Sequence, residues 1–509
     1  MKRTVFIATA FVFSLARAQV RPIDSLAYYP FIHPELNEIQ YYDDDALKTF
    51  HDKWMNAKLI TIAHFGDSHV QPDIYPGELR KDLQKQKGDA GFGMLFPFSA
   101  AKTYSMVDYR STHTGKWLYA KSIEPTPHLP LGISGATCRT EDSTASFTIE
   151  FKNPVPENYR RLKIFCKQEK NSYDVLVKSG EKFTAVEVDS TDNKLPYIEV
   201  LLPVIGNSIT LQLVKRNPGE NDFEFYGMSL ESIDRQGLLL HCMGIGGSQY
   251  GSLLQEVLFD AQLPSVHPDL VILDFGTNDF LYHNFIPDNL EQQVVDEITK
   301  IRKLVPGVTI LLTTTNDMNY KGRNVTSAVQ FSDLIHKIAK EQKCPFYDWY
   351  WITGGPKTMV IWNDFGLSRK DMVHLTAKGY TLKGEMLADA LLRCMDRMGS
   401  KDHPDSLVLP VSKYRHENDS IDNVTVTALD THREKPNDMP YKVIQHKVKN
   451  GETLGGIAKK FHVTVDQLKK MNGMKGNTIY VGQVLSIRVK NYPKPPPKPK
   501  TGTGGKKTP

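Results

Sequence analysis

Residues Leu59-Ile60-Thr61-Ile62-Ala63-His64-Phe65-Gly66-Asp67-Ser68-His69 begin as an unbroken apolar run and end on a tight turn. That is the pattern of a strand buried on both faces, and a helix is expected after it, from about Pro76 to Gln86. The same alternation returns further on. Leu270-Val271-Ile272-Leu273-Asp274-Phe275 reads as a second buried strand, Leu290 to Leu304 as a helix, and Thr309-Ile310-Leu311-Leu312-Thr313 as a third strand. A helix over Ala328 to Lys340 places Phe331, Leu334, Ile335 and Ile338 on one face. Apolar strands alternating with amphipathic helices predict a parallel sheet covered on both sides.

Between these halves the period changes from helical to two. Short alternating runs at Ser146 to Phe151, Arg161 to Lys167, Tyr173 to Lys178, Phe183 to Asp189, Tyr197 to Leu202, Ser208 to Val214 and Phe223 to Leu230 are separated by Gly, Pro, Asn and Asp. They predict an inserted β-sandwich, since an α/β crossover rarely needs so long a connection. Near the C-terminus a third pattern appears. Strands at Lys442 to Val448 and Val484 to Val489 flank two helices. The first presents Leu454, Ile457, Ala458 and Phe461; the second opens on Thr464 and Gln467 at capping-box spacing, buries Val465, Leu468 and Met471, and ends at Asn472-Gly473.

These patterns divide the chain into an α/β unit in two parts (19–104 and 233–399), a β insert (105–232), a polar linker (400–440), a βααβ module (441–490) and a Pro/Lys/Gly-rich tail expected to be disordered (491–509). At the start, Lys2 and Arg3 precede an apolar run from Val5 to Leu15 and then Ala16-Arg17-Ala18, so residues 1–18 read as a signal peptide removed on export. The protein is then expected outside the cytoplasm, whether periplasmic, envelope-associated or extracellular. No other stretch is apolar enough to predict a transmembrane segment.

A chain of 509 residues is too long for one core, and 40% hydrophobic with 24% charged residues is an ordinary globular composition. The net charge of +5 owes much to Lys494, Lys498, Lys500, Lys506 and Lys507, which suits contact with an anionic surface but not nucleic-acid binding. The five cysteines are scattered and form no CxxC pair, so this is not a disulfide scaffold. A single bridge, Cys138 with Cys166, is the candidate, and one cysteine must stay free.

Three segments carry chemistry. Gly66-Asp67-Ser68-His69 lies at the C-terminal edge of a strand, where open α/β sheets place ligands. Gly276-Thr277-Asn278-Asp279 follows another strand directly. Asp371-Met372-Val373-His374 comes near the end of the unit. A serine nucleophile needs a base and positioned N–H donors for the oxyanion, and these segments together supply those types. In this order, and with Gly244-Ile245-Gly246-Gly247-Ser248 between the first two, they resemble the four sequence blocks of the SGNH (GDSL-like) hydrolases. The resemblance covers 59–105 and 232–396 and implies a flavodoxin-like three-layer α/β/α fold.

It also implies Ser68 as nucleophile, His374 as general base and Asp371 as the carboxylate orienting the imidazole. The oxyanion hole would comprise the Ser68 N–H, Gly247 (with Gly246 adjacent in the same block) and the Asn278 amide. His69 stands where the family usually has leucine, a variant associated with its peptidoglycan O-acetylesterase branch, in which an inserted carbohydrate-binding-like sandwich also occurs. The role of His69 and that of the insert stay open. The C-terminal module resembles a LysM domain through His446 to Leu454, Ile457-Ala458, Asn472-Gly473 and Val481 to Leu485. That implies affinity for peptidoglycan or another N-acetylglucosamine-containing glycan.

His64 and His69 beside Asp67 and Asp73 invite a metal reading, but no HExxH or cysteine ligand set accompanies them. No Walker loop or GxGxxG follows a strand, so neither a cofactor nor a metal is expected. The resemblance therefore implies a secreted carboxylic ester hydrolase acting on O-acetyl groups of cell-wall glycan through an acyl-enzyme on Ser68, at the C6 O-acetyl of N-acetylmuramic acid. Two alternatives stay open: an acetylesterase of another polysaccharide, and a non-catalytic peptidoglycan-binding protein.

Overall fold

The computed structural model describes residues 29–188, 195–412, 414 and 415 and, with short gaps, 441–490. The expected signal peptide, residues 416–440 of the expected linker (400–440) and the tail from 491 lie outside these residues, as do Gln467, Met471 and Gly473 of the expected second LysM helix. The chain divides into two units at Asn418/Asp419.

In the first unit the apolar runs form a five-stranded parallel sheet. Its strands are β1 (Leu59–Gly66), β2 (Gly237–Gly244), β3 (Leu270–Asp274), β4 (Thr309–Thr313) and β5 (Phe346–Tyr347), in the order β2-β1-β3-β4-β5. Every residue of β2, β3 and β4 is buried, which explains why these strands read as continuous rather than alternating hydrophobics. The order is that of flavodoxin-like sheets, whose topological switch point lies between β1 and β3. Helices α1 (Asp45–Asn56) and α2 (Tyr75–Lys87) both pack against the long C-terminal helix α5 (Ala377–Met398), whereas α3 (Leu290–Leu304) and α4 (Ser327–Glu341) pack together. The result is a three-layer α/β/α unit.

Between β1 and β2 run two antiparallel sheets. One pairs Phe223–Glu231 with Arg161–Cys166, Ala136–Thr140 and Gly91–Leu95; the other pairs Ser146–Phe151 and Ser208–Val214 with their neighbours. Burial alternates along Ser146–Phe151 and Ser208–Val214, and Phe147 of one sheet meets Phe225 of the other edge-on at 4.8 Å. The sheets thus face each other as a sandwich. Cys138 and Cys166 flank the same residue, Phe225, on opposite sides, and all five cysteines are free. Two strand spacings, about 10 Å, separate them, so the candidate bridge does not form.

In the second unit Tyr441–Lys447 pairs antiparallel with Val484–Lys490. Helix Leu454–Lys460 is capped by the Thr453 hydroxyl, which accepts from the Gly456 N–H at 3.1 Å. Leu454, Ile457, Ala458, Leu468, Leu485 and Ile487 close a small core. Before the helix, the Glu452 carboxylate accepts from the Lys449 N–H and pairs with His446, both at 2.8 Å, which brings it down to about 2.

Candidate active site

The chain leaves β1 through Gly66 and turns within Asp67 to Gln71, where the Asp67 carbonyl accepts from the N–H groups of Val70 (3.1 Å) and Gln71 (3.0 Å). Glycine is required at 66: a β-carbon would lie 2.6 Å from the Asp274 carbonyl oxygen and 2.3 Å from Val70. This close approach presses the turn against the end of β3 and places Ser68 at the switch point.

Ser68 Oγ lies 2.8 Å from His374 Nε2, and His374 Nδ1 lies 3.0 Å from Asp371 Oδ2. With its proton on Nδ1, the imidazole donates to Asp371 and leaves Nε2 free to accept from the serine hydroxyl. The loop holding these groups is stiff. The Asp371 Oδ1 accepts the N–H of Val373 and of His374, each at 3.0 Å, and the Arg369 N–H donates to the His374 carbonyl at 2.8 Å. Partial burial raises the Asp371 carboxyl, but these N–H groups and the imidazole outweigh it and hold it below the usual range. Immediately after, Thr376 caps α5 by accepting from the Gly379 N–H.

The three expected oxyanion donors differ. The N–H groups of Ser68 and Gly247 have no acceptor among the described hydrogen bonds, while the Gly246 N–H donates to Gln71 Oε1 at 2.6 Å. Gly247 adopts φ +96°, which glycine tolerates best. The Asn278 amide, on the short helix Thr277–Phe280 that follows β3, is committed on both sides: it donates to the Ser248 carbonyl at 3.0 Å and to Asp67 Oδ2 at 3.3 Å. An oxyanion would have to replace the longer of these bonds. Burial pushes the Asp67 carboxyl up to about 8, against the pull of the His69 N–H that it accepts at 2.8 Å.

His69 is buried and stacks on His374, ring centroids 5.1 Å apart at 28°. Its Nδ1 lies 2.9 Å from the Tyr380 hydroxyl, and burial followed by the nearness of His374 keeps it well below the usual histidine range, so it stays neutral. The sequence pattern carried no sign of Tyr380, Gln71 or Tyr104, whose hydroxyl is 3.5 Å from the Ser68 carbonyl oxygen; each is brought in by tertiary packing. Asp73 is taken up by Arg80 (2.8 and 3.2 Å). His64 bonds the Tyr75 hydroxyl at 2.7 Å, away from Ser68.

Residues 204–382 match the GDSL-like lipase/acylhydrolase family, a stretch that takes in Gly247, Asn278, Asp371 and His374, with Ser68 preceding it; residues 446–488 match the LysM domain. The chain carries a GDSL-like acylhydrolase domain, a class of carboxylic ester hydrolase, followed by a LysM domain. Among solved structures it is similar to a peptidoglycan O-acetylesterase, with 24% identity and a TM-score of 0.57 over 70% of this chain and 99% of that one; this likeness is one of fold. It is also similar, over 43 residues or 8% of its length, to the probable peptidoglycan endopeptidase LytE of Bacillus subtilis (46% identical) and to an autolysin of Enterococcus faecalis (37% identical). These alignments span only 13% and 6% of those relatives. No helix among the described residues is long and apolar enough to cross a membrane.

Proposed function

We propose that the protein is a serine esterase that removes O-acetyl groups from cell-wall glycan, with the C6 O-acetyl of N-acetylmuramic acid in peptidoglycan as its substrate. The observation that carries this reading is the unbroken chain Ser68–His374–Asp371 at the switch point of the sheet, beside N–H donors that have no acceptor among the described hydrogen bonds. His374 takes the hydroxyl proton as Ser68 Oγ attacks the acetyl carbonyl. The N–H groups of Ser68 and Gly247, joined by the Asn278 amide, receive the oxyanion. The tetrahedral species collapses as His374 returns the proton to the departing sugar oxygen, leaving acetyl-Ser68. Water, activated by the same imidazole, then releases acetate.

The LysM domain supports the choice of polymer, because tethering to an aminosugar chain raises the local concentration of ester without altering the chemistry. Export through residues 1–18 and residence at the cell envelope belong to the same reading. Acetate release from O-acetylated peptidoglycan and from acetylated xylan at matched ester concentration tests it. Faster release from peptidoglycan is expected, and a preference for xylan of about tenfold, ~1.4 kcal/mol in transition-state binding, overturns it.

A further inference from the structure

Arg369 opens the turn that carries Asp371 and His374, and its backbone is fixed from several sides. Its N–H donates to the His374 carbonyl at 2.8 Å, and its own carbonyl accepts from the Met372 N–H at 3.0 Å and from Asn363 Nδ2 at 2.8 Å. The side chain is exposed. The ion pair on this turn joins His374 to Asp371, and the Arg369 guanidinium makes none among the described residues. Its charge nonetheless reaches the site, where it opposes the effect of burial on the hydroxyls of Tyr104 and Tyr380. Those hydroxyls stand beside the Ser68 carbonyl and His69.

An unpaired cation on this turn works against catalysis unless something neutralises it, since His374 becomes positive when it takes the serine proton. An anion arriving with the substrate would remove that repulsion, and a guanidinium fork suits a carboxylate in two-point contact. We propose that Arg369 is a specificity residue that binds a carboxylate carried by the acetylated sugar unit, so that the site selects anionic over neutral acetylated glycans. This rests on reading the site as a glycan O-acetylesterase. In a muramic acid polymer the carboxylate has two sources: the lactyl ether where the peptide stem is absent, and the stem's own carboxyl groups.

The test uses the full-length protein on intact O-acetylated peptidoglycan and on the same polymer freed of stems by an amidase, each as the free acid and with its carboxylates converted to methylamides. For the wild type, kcat/KM is expected to be about tenfold higher on the free acid than on the methylamide, the size of one charged hydrogen bond. Arg369→Gln should bring this ratio to within about twofold of one, Arg369→Lys should keep part of it, and Lys370→Gln, next on the same exposed turn, should leave it as in the wild type. Turnover of the methylamide confirms that each variant is folded. A preference confined to the stem-free polymer assigns the lactyl carboxylate; one confined to the intact polymer assigns the stem. A wild-type ratio near one, or a ratio that survives in Arg369→Gln, overturns the inference. Failure of the wild type on every peptidoglycan form, with acetylated xylan cleaved, instead overturns the underlying reading, and the inference falls with it.

Discussion

Two constellations in this protein are built from the same parts, a hydroxyl, a histidine and an aspartate, and only one is arranged for chemistry. In the first, Ser68, His374 and Asp371 are joined at 2.8 and 3.0 Å, with His374 30% and Asp371 47% exposed at the side chain. In the second, His64 meets the Tyr75 hydroxyl, which donates to Asp274, and Lys383 completes the set at 2.9 Å from Asp274. The second set is buried, and the proton of its hydroxyl is committed to Asp274. Burial pushes His64 down to about 4. Asp274, which burial alone would raise, is drawn down to about 2 by Lys383, His64 and the tyrosine hydroxyl. A histidine so far below neutrality is a poor base at physiological pH, and a hydroxyl already bonded to a carboxylate has no proton to give to it. Residue type is therefore not what separates a reactive group from a structural one. Access, and donors left without partners, decide it.

The contrast can be broken most forcefully at the first set. Ser68→Ala and His374→Ala should each lower kcat on a small acetyl ester by about four to six orders of magnitude while leaving the urea midpoint nearly unchanged. Asp371→Asn should cost less, because it orients the imidazole without reacting. The second set should respond in the opposite sense. Lys383→Met leaves Asp274 buried without its cation, so unfolding free energy should fall by about 3–5 kcal/mol, with kcat of the remaining folded protein largely retained. Asn278→Ala falls between the two: a loss of roughly a hundred- to a thousandfold in kcat is expected for one oxyanion donor.

A pH series sharpens the comparison further. The folded-state value of His64 lies below the ~6.5 of an unfolded histidine, so the stability tied to its neutral form is complete above pH 6.5 and is lost as the pH falls to about 4. The destabilisation caused by His64→Gln, read from urea midpoints, should thus shrink by ~2–3 kcal/mol between pH 7 and 4. The smallest effect is expected from truncation after Asn418, which should leave small-ester turnover within about twofold but weaken sedimentation with sacculi.

Much of this was legible in the sequence, and the reasons are local. The strands Leu59–Gly66, Leu270–Asp274 and Thr309–Thr313 are unbroken apolar runs because both faces are covered, and Leu290–Leu304 carries its period openly. Ser68, Asn278, Asp371 and His374 sit in short motifs at strand ends or on one turn. What stayed hidden depends on distant partners. Gly91–Leu95 is a strand only because Phe223–Glu231 lies beside it, and two of its five residues are glycine. His69 is kept neutral by burial and by the nearness of His374, on which it stacks, and it bonds Tyr380, 311 residues away in the chain. The sequence around Arg369 is equally silent, since its place beside the site follows from how the His374 carbonyl and Asn363 hold its backbone on the 369–374 turn.

We propose that the open set, and Ser68 within it, performs the chemistry. Treatment of the wild-type protein with an active-site-directed fluorophosphonate, followed by peptide mapping, tests this most directly. One phosphonyl group per chain on Ser68, formed in step with loss of acetate release, is the expected result. Complete inactivation with the label on another residue, or full labelling of Ser68 with activity retained, would contradict it.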